Sequence, residues 1–517
     1  MILDADGLGE SGMVQGDIAI VGGGAAGITI AQALAGSGLT VILIESGTKR
    51  RGEPGADGFR GESIGTAMDP AGGRFQGLGG STNRWTGRCA PLDPIDLAPR
   101  DWVPHSGWPI GWDELARWYG PAEAVCGLSD AAPVPPATDG DTVAPFGWRF
   151  AATGWKTYQS WGDRYHDLLR LDPNIRVVTG ALAAGIAIDG GDITHARWLT
   201  LRTHRLREVR VIARHFVLSA GGIENARLLL DVIASQPGTL PAVADSVGRY
   251  FMQHPRVTTA TIACTRAQAA RLQQSFNNFP SSRGHHHEIG FALTPETQAR
   301  ERLLNASAVL RYDAAPSAAR RGWAALRSGM TPYPREWLAL AGYALRPDRL
   351  LPRAATRMAG RLALRTDPIV SLVVDIEQAP QPDSRITLAN SLDRYGRRRA
   401  RVDWRIAEQD RSTVRHMTEG IATFLATRDL GRLVPEAVDD ILDPARMQHS
   451  FHHIGSTRMS DSPRDGVVDR DGRVHGTANL YACGSSVMPT GGHANPTFTI
   501  VALALRLADH LKAVATA

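Results

Sequence analysis

The sequence predicts an α/β plus α+β chain: a discontinuous Rossmann-like dinucleotide-binding domain assembled from both ends, with a second domain built on an antiparallel sheet inserted between them. Three observations predict it. Residues 17–21 read as a short apolar strand, followed by Gly22-x-Gly24-x-x-Gly27, an apolar-periodic helix to about Ala35, and a strand 41–44 ending at Glu45. The far end returns to a strand, 480–483, and a long final helix. Between the two ends lies a long mixed region with strand signals at SLVVDIEQ (371–378) and SRITLAN (384–390).

Length and composition narrow the class. A chain of 517 residues has room for two to four domain-sized units and a large core. With 43% hydrophobic and 21% charged residues, it has the composition of an ordinary soluble globular protein. Its four cysteines (Cys89, Cys126, Cys264, Cys483) show no C-x-x-C spacing, which speaks against a disulfide scaffold, a structural zinc site and a c-type haem. The opening MILDADGLGESGMVQGD has neither the basic nor the apolar region of an export signal, and no apolar run is long enough to span a bilayer, so the expected location is the cytoplasm. The basic excess, 57 Lys+Arg against 52 Asp+Glu, is local. Residues 320–365 hold ten arginines against Glu336 and Asp348, and the remainder of the chain is net acidic, which is not the pattern of a nucleic-acid binder.

Between the landmarks, residues 51–90 are glycine-rich and too irregular for a regular element, and residues 131–147 read as a Pro/Ala/Gly surface loop. Strand-like VRVIARHFVLSA (209–220) meets Gly221-Gly222 and the helix IENARLLLDVI. There is no internal repeat. The implied division is 1–255 plus 440–517 for the nucleotide domain, with excursions near 91–190 on the substrate side, and 256–439 for the substrate domain. The latter carries an Arg-rich helical insertion at 320–365.

Each glycine of the first loop has a physical task. Gly22 permits the tight turn, Gly24 lets backbone approach a pyrophosphate, and Gly27 allows close helix–sheet packing, while the helix N-terminus offers unpaired N–H groups to phosphate. Glu45, at the strand end, is placed to accept hydrogen bonds from a ribose diol, and no arginine follows it to welcome a 2′-phosphate. The loop alone fits NAD and FAD equally. The C-terminal Asn495-Pro496-Thr497 reads as a helix start, with Asn as cap and Pro at the first position. The positive pole of that helix, aimed at the cofactor crevice, would stabilise negative charge on a reduced flavin, which favours flavin over nicotinamide.

His452 sits in a small-residue loop, FHHIGSTRMS (451–460), able to bend back over the ring. Oxidising an alcohol requires removal of the hydroxyl proton together with hydride loss from carbon. A neutral imidazole with a pKa near the working pH suits the first step, and Asn495 can hold the hydroxyl in place. Spacing alone equally allows His452, His453 and His449 to be core or surface histidines, and Asn495 a plain cap. His493, two residues before Asn495, reads as a support to the site, and Gln378, at a strand end, as a residue that could face a substrate. His285-His286-His287 reads as a polar loop and not a metal site, since adjacent histidines seldom converge on one ion. CGSS lacks the setting of a nucleophile elbow. Arg349, Arg353, Arg357, Arg361 and Arg365 recur every four residues, as on one helix face, either a solvated insertion or a docking surface for another subunit, an anionic membrane or an electron-accepting partner.

Four blocks carry a resemblance over nearly the whole chain: the Gly22 loop with Glu45, GLGGSTNRW (77–85), VLSAGGIENARLLL (217–230), and HHIGSTRMS with GSSVMPTGGHANPT. The chain resembles the glucose–methanol–choline (GMC) flavoprotein oxidoreductases, most of all the branch of pyranose 2-oxidase and bacterial glycoside 3-oxidases or dehydrogenases. The resemblance implies that His452, six residues before Arg458, is the catalytic base and Asn495 the second catalytic residue. It implies FAD contacts from Gly79, Gly80, Ser81, Thr82, Asn83 and Trp85, from Ala220 and Gly484, and from Asn495, Pro496 and Thr497. Covalently flavinylated relatives carry a histidine immediately before the tryptophan. Arg84 stands there in this chain, so FAD is expected to be non-covalent, and the lost redox tuning weighs against strong oxidase activity.

The function so implied is FAD-dependent oxidation of a secondary hydroxyl of a sugar or glycoside to a ketone, at C2 or C3. The proton passes to His452, the hydride to flavin N5, and the electrons to O2 or to a quinone- or dye-like acceptor. The alternatives are a GMC enzyme of a non-sugar alcohol, or the flavin subunit of a multi-subunit dehydrogenase. A homo-oligomer or partner contact through 320–365 belongs to the same expectation.

Overall fold

In the computed structural model a short strand, Ile2–Asp4, precedes the strand Met13–Val21, whose first half alternates exposed and buried residues and whose last four residues are all buried. That change of pattern is what a strand shows when it runs from a one-sided edge to a site covered on both faces. It is followed by the helix Ala25–Leu34 and the strand Val41–Glu45, every residue of which is buried. The structure describes residues 1–8, 12–48, 53–54, 57–128, 134, 141–151, 160–190, 193–280, 286–314, 331, 333–335, 337–338, 341, 364–365, 367–437 and 440–516.

Among the described residues, eight strands form the first sheet. Their order is Ile2–Asp4, Ile175–Thr179, Val41–Glu45, Met13–Val21, Glu208–Leu218, His195–Thr203, Ala181–Asp189, and Leu480–Ala482 pairs alongside Glu208–Leu218. The pairings from Ile2–Asp4 through Glu208–Leu218, and that of Leu480–Ala482, are parallel. The remaining two are antiparallel. The final helix, Thr497–Thr516, packs between Ala25–Leu34 and the helix Trp112–Cys126. Both chain ends therefore meet in one layer, as expected.

Among the described residues the second sheet has nine strands, all antiparallel: Arg432–Pro435, Pro255–Ala263, Pro368–Ile376, Ala306–Ala314, His286–Leu293, Val143–Phe150 and Arg88–Cys89 in order. Asn278–Pro280 adds to His286–Leu293 and Gln448–His449 to Pro255–Ala263. The helix Glu408–Thr427 packs against it. This α/β plus α+β arrangement is the fold class read from the sequence.

Some boundaries differ. The strand signal at 384–390 belongs to a separate three-stranded sheet, where Arg385–Leu392 pairs with Arg398–Trp404 and Glu62–Gly65 completes it. The substrate sheet takes Arg88–Cys89, Val143–Phe150 and Gln448–His449 from outside 256–439, whereas Ile175–Thr179 and Ala181–Asp189 of the 91–190 excursion join the first sheet. The loop expected at 131–147 gives way at Val143 to a strand: Pro145 and Gly147 punctuate it, but Trp148 and Val143 are fully buried and decide the matter. Most of the insertion 320–365, with Arg349, Arg353, Arg357 and Arg361, lies outside the described residues, as does His285.

Candidate active site

Three parallel strand ends sit level with one another: Val21 pairs with Leu218, and Leu218 with Ala482. The residues just beyond them, Gly22, Ser219–Gly222 and Gly484, therefore open on the same crevice at the carboxyl edge of the sheet, where ligands bind in this class of fold. They line a cavity of about 730 Å³. Gly22 has φ +108°, and a Cβ on it would stand 2.6 Å from the Ser219 carbonyl oxygen. A Cβ on Gly27 would stand 2.0 Å from the Gly22 oxygen, so the helix can lie this close only without one. Gly24 caps the helix with no side-chain hydrogen bond and faces open space, which leaves the first N–H groups turned to the cavity.

Glu45 lines the cavity and also ties it together. Its Oε2 accepts from the Gly23 N–H (3.0 Å), and its Oε1 from Gly47 (2.8 Å) and Gly77 (2.9 Å). Burial raises its pKa, against the pull of these backbone donors. The block 77–85 lies directly on the glycine loop: Gly79 N–H donates to the Gly23 oxygen at 2.7 Å, and a Cβ on Gly80 would come within 3.0 Å of Gly24 Cα. Gly80, Ser81, Thr82, Arg84 and Trp85 reach the cavity. Gly27, Gly79 and Asn83 do not; Asn83 instead donates to the Leu78 and Gly80 carbonyls and accepts from Ser160, holding the turn Gly80–Asn83.

His452 is brought to the opposite part of the same cavity by a slipped pairing. Met252 and Ile454 exchange both backbone hydrogen bonds (3.0 and 2.9 Å), and that register sets His254 across from His452. The next pair is Pro255 with His449, so three steps on one chain are matched by five on the other. The surplus falls at Phe451, which takes φ +58°, stays 41% exposed and lays its ring on Gly73. Strain of this kind at a non-glycine residue marks functional loops. The loop is pinned behind by Ser485 Oγ, donating to the His453 carbonyl at 2.7 Å, and by Ser456 Oγ, donating to that of Gly222. Gly222 is required, because a Cβ there would stand 2.2 Å from the His453 oxygen.

The half-buried His452 ring is held at both nitrogens. Its Nδ1 lies 3.0 Å from His254 Nδ1, and its Nε2 lies 3.3 Å from Asn495 Nδ2. With Asn495 as donor, His452 Nε2 presents its lone pair and Nδ1 carries the proton, which it donates to His254. Burial, then the charges of His254 and Arg256, push the His452 pKa well below the ordinary histidine value. The shift runs downward from the value expected of a base titrating near the working pH, so the neutral ring is favoured and is a weaker base. The Asn495 side chain does not cap the final helix. The helix begins at Thr497, the Ile500 N–H bonds the Pro496 carbonyl at 2.8 Å, and the Asn495 amide turns to His452 instead. Asn495, Pro496 and Thr497 all line the cavity, with Ala220 and Gly484.

Two further candidates lie elsewhere. Gln378 is buried away from the cavity: its Oε1 accepts from Gln253 N–H (2.8 Å) and Trp404 Nε1 (2.7 Å), and its Nε2 donates to the Arg405 carbonyl (3.2 Å). It clamps three segments and has no lone pair to offer a substrate. His493 stands 3.2 Å from Asp93 and edge-on to Phe146, also outside the cavity lining. Burial works against its charged form, but the Asp93 carboxylate outweighs it and raises the pKa. Among the described residues no three His, Cys, Asp or Glu side chains are grouped to hold a metal ion, and no helix is long and apolar enough to cross a membrane.

Sequence reasoning missed several residues of the site. His254, which holds His452 from behind and does not line the cavity, gives no local signal, since its partner is fixed only by strand register. Arg88, Arg256, Glu288 and Arg311 line the cavity from the second sheet. Arg74, Glu224 and Arg397 line it from a buried ion network in which Arg74 donates to Glu224 at 2.7 Å. Burial opposes ionisation of Glu224, but Arg227, Arg74 and Arg397 together hold its pKa down at about 2.

Residues 380–504 match the family described as GMC oxidoreductase. The chain is 26% identical to paromamine 6′-oxidase of Streptomyces fradiae, over 96% of this chain and 91% of that protein. It is 30% identical to the C-glycoside 3-oxidase of Microbacterium trichothecenolyticum over a shorter stretch, 28% of this chain and 27% of the other. Among solved structures it is similar to pyridoxine 4-oxidase from Mesorbium loti, with a TM-score of 0.57 and 17% identity over 96% of this chain and 98% of that one. Joined to the glycine loop, the level strand ends and the match over the segment that carries His452 and Asn495, these likenesses show an enzyme with a GMC oxidoreductase C-terminal domain, similar over nearly its whole length to oxidases and dehydrogenases of alcohols and sugars.

Proposed function

We propose that the protein is an FAD-dependent oxidoreductase that converts a secondary hydroxyl of a sugar or glycoside to a ketone. The observation that carries this reading is the contact of His452 Nε2 with Asn495 Nδ2, 3.3 Å apart, on the wall of the cavity that opens from the glycine loop. The residues fit FAD. The uncapped N-terminus of Ala25–Leu34 and the open face of Gly24 suit a pyrophosphate, Oε2 of Glu45 keeps room for a ribose hydroxyl, and the N-terminus of Thr497–Thr516 lies at the His452 end. Arg84, exposed on the cavity wall, offers no nucleophile for a covalent link, so FAD is held non-covalently.

Bound FAD supplies the two-electron acceptor for the carbon-bound hydrogen of the alcohol. The protein's own part is to place and deprotonate the hydroxyl. The substrate hydroxyl takes the place of the Asn495 N–H at His452 Nε2 and accepts from Asn495 Nδ2 instead, so that His452 Nε2, its lone pair now facing the hydroxyl, takes the proton. The resulting imidazolium keeps its Nδ1 proton on His254, so the ring need not turn during the step. The names of two relatives, a 6′-oxidase and a C-glycoside 3-oxidase, support a sugar-type substrate. The reduced enzyme then passes its electrons to O2 or another acceptor.

An anaerobic screen of the purified protein with monosaccharides, glycosides and primary alcohols tests this. Glycosides bleach the yellow absorbance, and air or a dye restores it. Acid releases the FAD. Bleaching by simple primary alcohols alone would replace the sugar reading, and His452→Ala bleaching at the wild-type rate would remove His452 as the base.

A further inference from the structure

We propose that the substrate-facing wall of the cavity is an oxyanion subsite, and that the preferred alcohol carries a carboxylate, as a uronic-acid glycoside does. The inference rests on the alcohol-oxidising reading above and specifies its substrate.

Three guanidinium groups line this wall, Arg88, Arg256 and Arg311, each from a different strand of the second sheet. The carboxylates near them are already engaged. Arg256 holds Asp375 in a bidentate pair (2.6 and 2.8 Å), and Glu288 lies 2.9 Å from Arg88 Nε. Arg88 is only 8% exposed, is stacked 3.8 Å over Trp148, and its buried Nη2 has no hydrogen-bond partner. Burial and the neighbouring charges of Arg256 and Arg311 weaken its hold on its proton, although Glu288 and Asp375 resist. Arg311, exposed at the rim, makes no ion pair or hydrogen bond among the described residues.

Like charges crowded into a low-dielectric wall are costly, and a fixed excess of one sign selects a ligand of the other. The guanidinium fork also matches the geometry of a carboxylate better than that of a single hydroxyl. The charges act where the chemistry occurs, because Arg256 and Arg88 both bear on His452. A cationic amino-sugar meets repulsion at this wall, a neutral glycoside finds donors in excess of its needs, and a uronide completes the ion pairing.

Three matched probes decide it: methyl β-glucuronide, methyl β-glucoside and methyl 2-amino-2-deoxy-β-glucoside, carrying charges of −1, 0 and +1. Calorimetric titration of the purified holoprotein at low salt shows glucuronide binding at least tenfold tighter than glucoside, the advantage shrinking in 0.5 M NaCl, and the amino sugar weakest. Arg311→Ala and Arg311→Glu at the exposed rim reduce the glucuronide-to-glucoside ratio, the charge reversal more strongly. Glucuronide binding no tighter than glucoside, or undetectable, overturns the proposal, as does a ratio unmoved by Arg311→Glu. Bleaching by the glucoside without any glucuronide advantage sinks this inference and leaves the alcohol-oxidising reading standing. Arg311-dependent glucuronide binding with no bleaching by any alcohol does the reverse.

Discussion

His254 Nδ1 stands 3.0 Å from His452 Nδ1, so the residue we propose as the base is oriented by a second imidazole and not by a carboxylate. The choice matters. A carboxylate at Nδ1 would raise the basicity of His452, whereas a neutral imidazole fixes the ring and its tautomer with little added charge. His254 can play that part because burial drives its own pKa down to about 4, against the opposing pull of Asp375 and Glu377.

Removing His254 therefore misplaces the base without removing it. His254→Leu lowers the rate of substrate bleaching by about ten- to a hundredfold, within the range expected for weakening a general base. His254→Asn, which can still accept from His452 Nδ1–H, recovers much of the loss. A Leu variant that bleaches as fast as wild type, with FAD content unchanged, would show that the contact does not serve the reaction.

The low pKa of His452 sets the pH profile. Burial comes first among its causes, followed by His254 and Arg256. As a base it works only when neutral, so the rate falls as pH drops through the folded pKa and is flat above it. In kcat/KM the acid limb lies well below pH 6.5, the value for an unperturbed histidine. A limb at or above 6.5 would place the titrating base elsewhere.

The parts of the site that could be read in advance are those where local geometry dictates residue type. Gly22 and Gly27 face backbone oxygens that exclude a Cβ, so the fingerprint is forced by contacts within a few residues and appears as a pattern. Glu45 was legible as an acid at a strand end. Its second task, gathering the Gly23, Gly47 and Gly77 N–H groups, was not, because Gly77 arrives from a separate loop. His254 and the arginines on the cavity wall were hidden for the same reason: they meet the site through strand register and sheet order, which no periodicity records. Gln378 misled in the opposite sense, as its partners Gln253 and Trp404 lie far away along the chain. Pro145 and Gly147 mask the strand Val143–Phe150 in the sequence, whereas burial of Trp148 decides it in the fold.

Acid stability follows from the same histidines. The pKa of His453 is pushed down to about 3 by burial, then by Arg74 and His449, and that of His254 to about 4. For a base whose folded pKa is depressed, the unfolded chain binds more protons between the two pKa values, so stability rises with pH across that window. Each such histidine costs up to about 1.4 kcal/mol per pH unit as the pH falls from 6.5 toward its folded value. Thermal melts show a midpoint dropping steadily from pH 6.5 to 4.5. His453→Leu makes that slope shallower, since His453 Nε2 has no hydrogen-bond partner to lose and its ring only stacks on Phe251 at 5.8 Å. A slope unchanged in the Leu variant would assign the acid sensitivity to other groups.

Gly222 links the two ends of the site most directly. It is the second residue of the helix Gly221–Ser235 beside the cofactor crevice, and its missing side chain is what admits the His453 carbonyl. A methyl group there would stand 2.2 Å from that oxygen and 2.6 Å from the His453 Cβ, distances no rotamer change can relieve, because the first obstacle is backbone. The loop must move, carrying His452 away from Asn495 and straining the contacts from Ser485 and Ser456. Gly222→Ala therefore costs about 1–3 kcal/mol of stability by overpacking and lowers the bleaching rate by about a hundredfold or more, a 1 Å displacement of a reacting group being enough for that. Gly221→Ala, one residue earlier, is the control: its Cβ meets nothing within 4 Å, although φ +89° adds local strain, so it loses stability with a much smaller loss of rate. Equal losses of rate in the two variants would mean that the fold near the helix start, and not the seat of His452, governs the reaction.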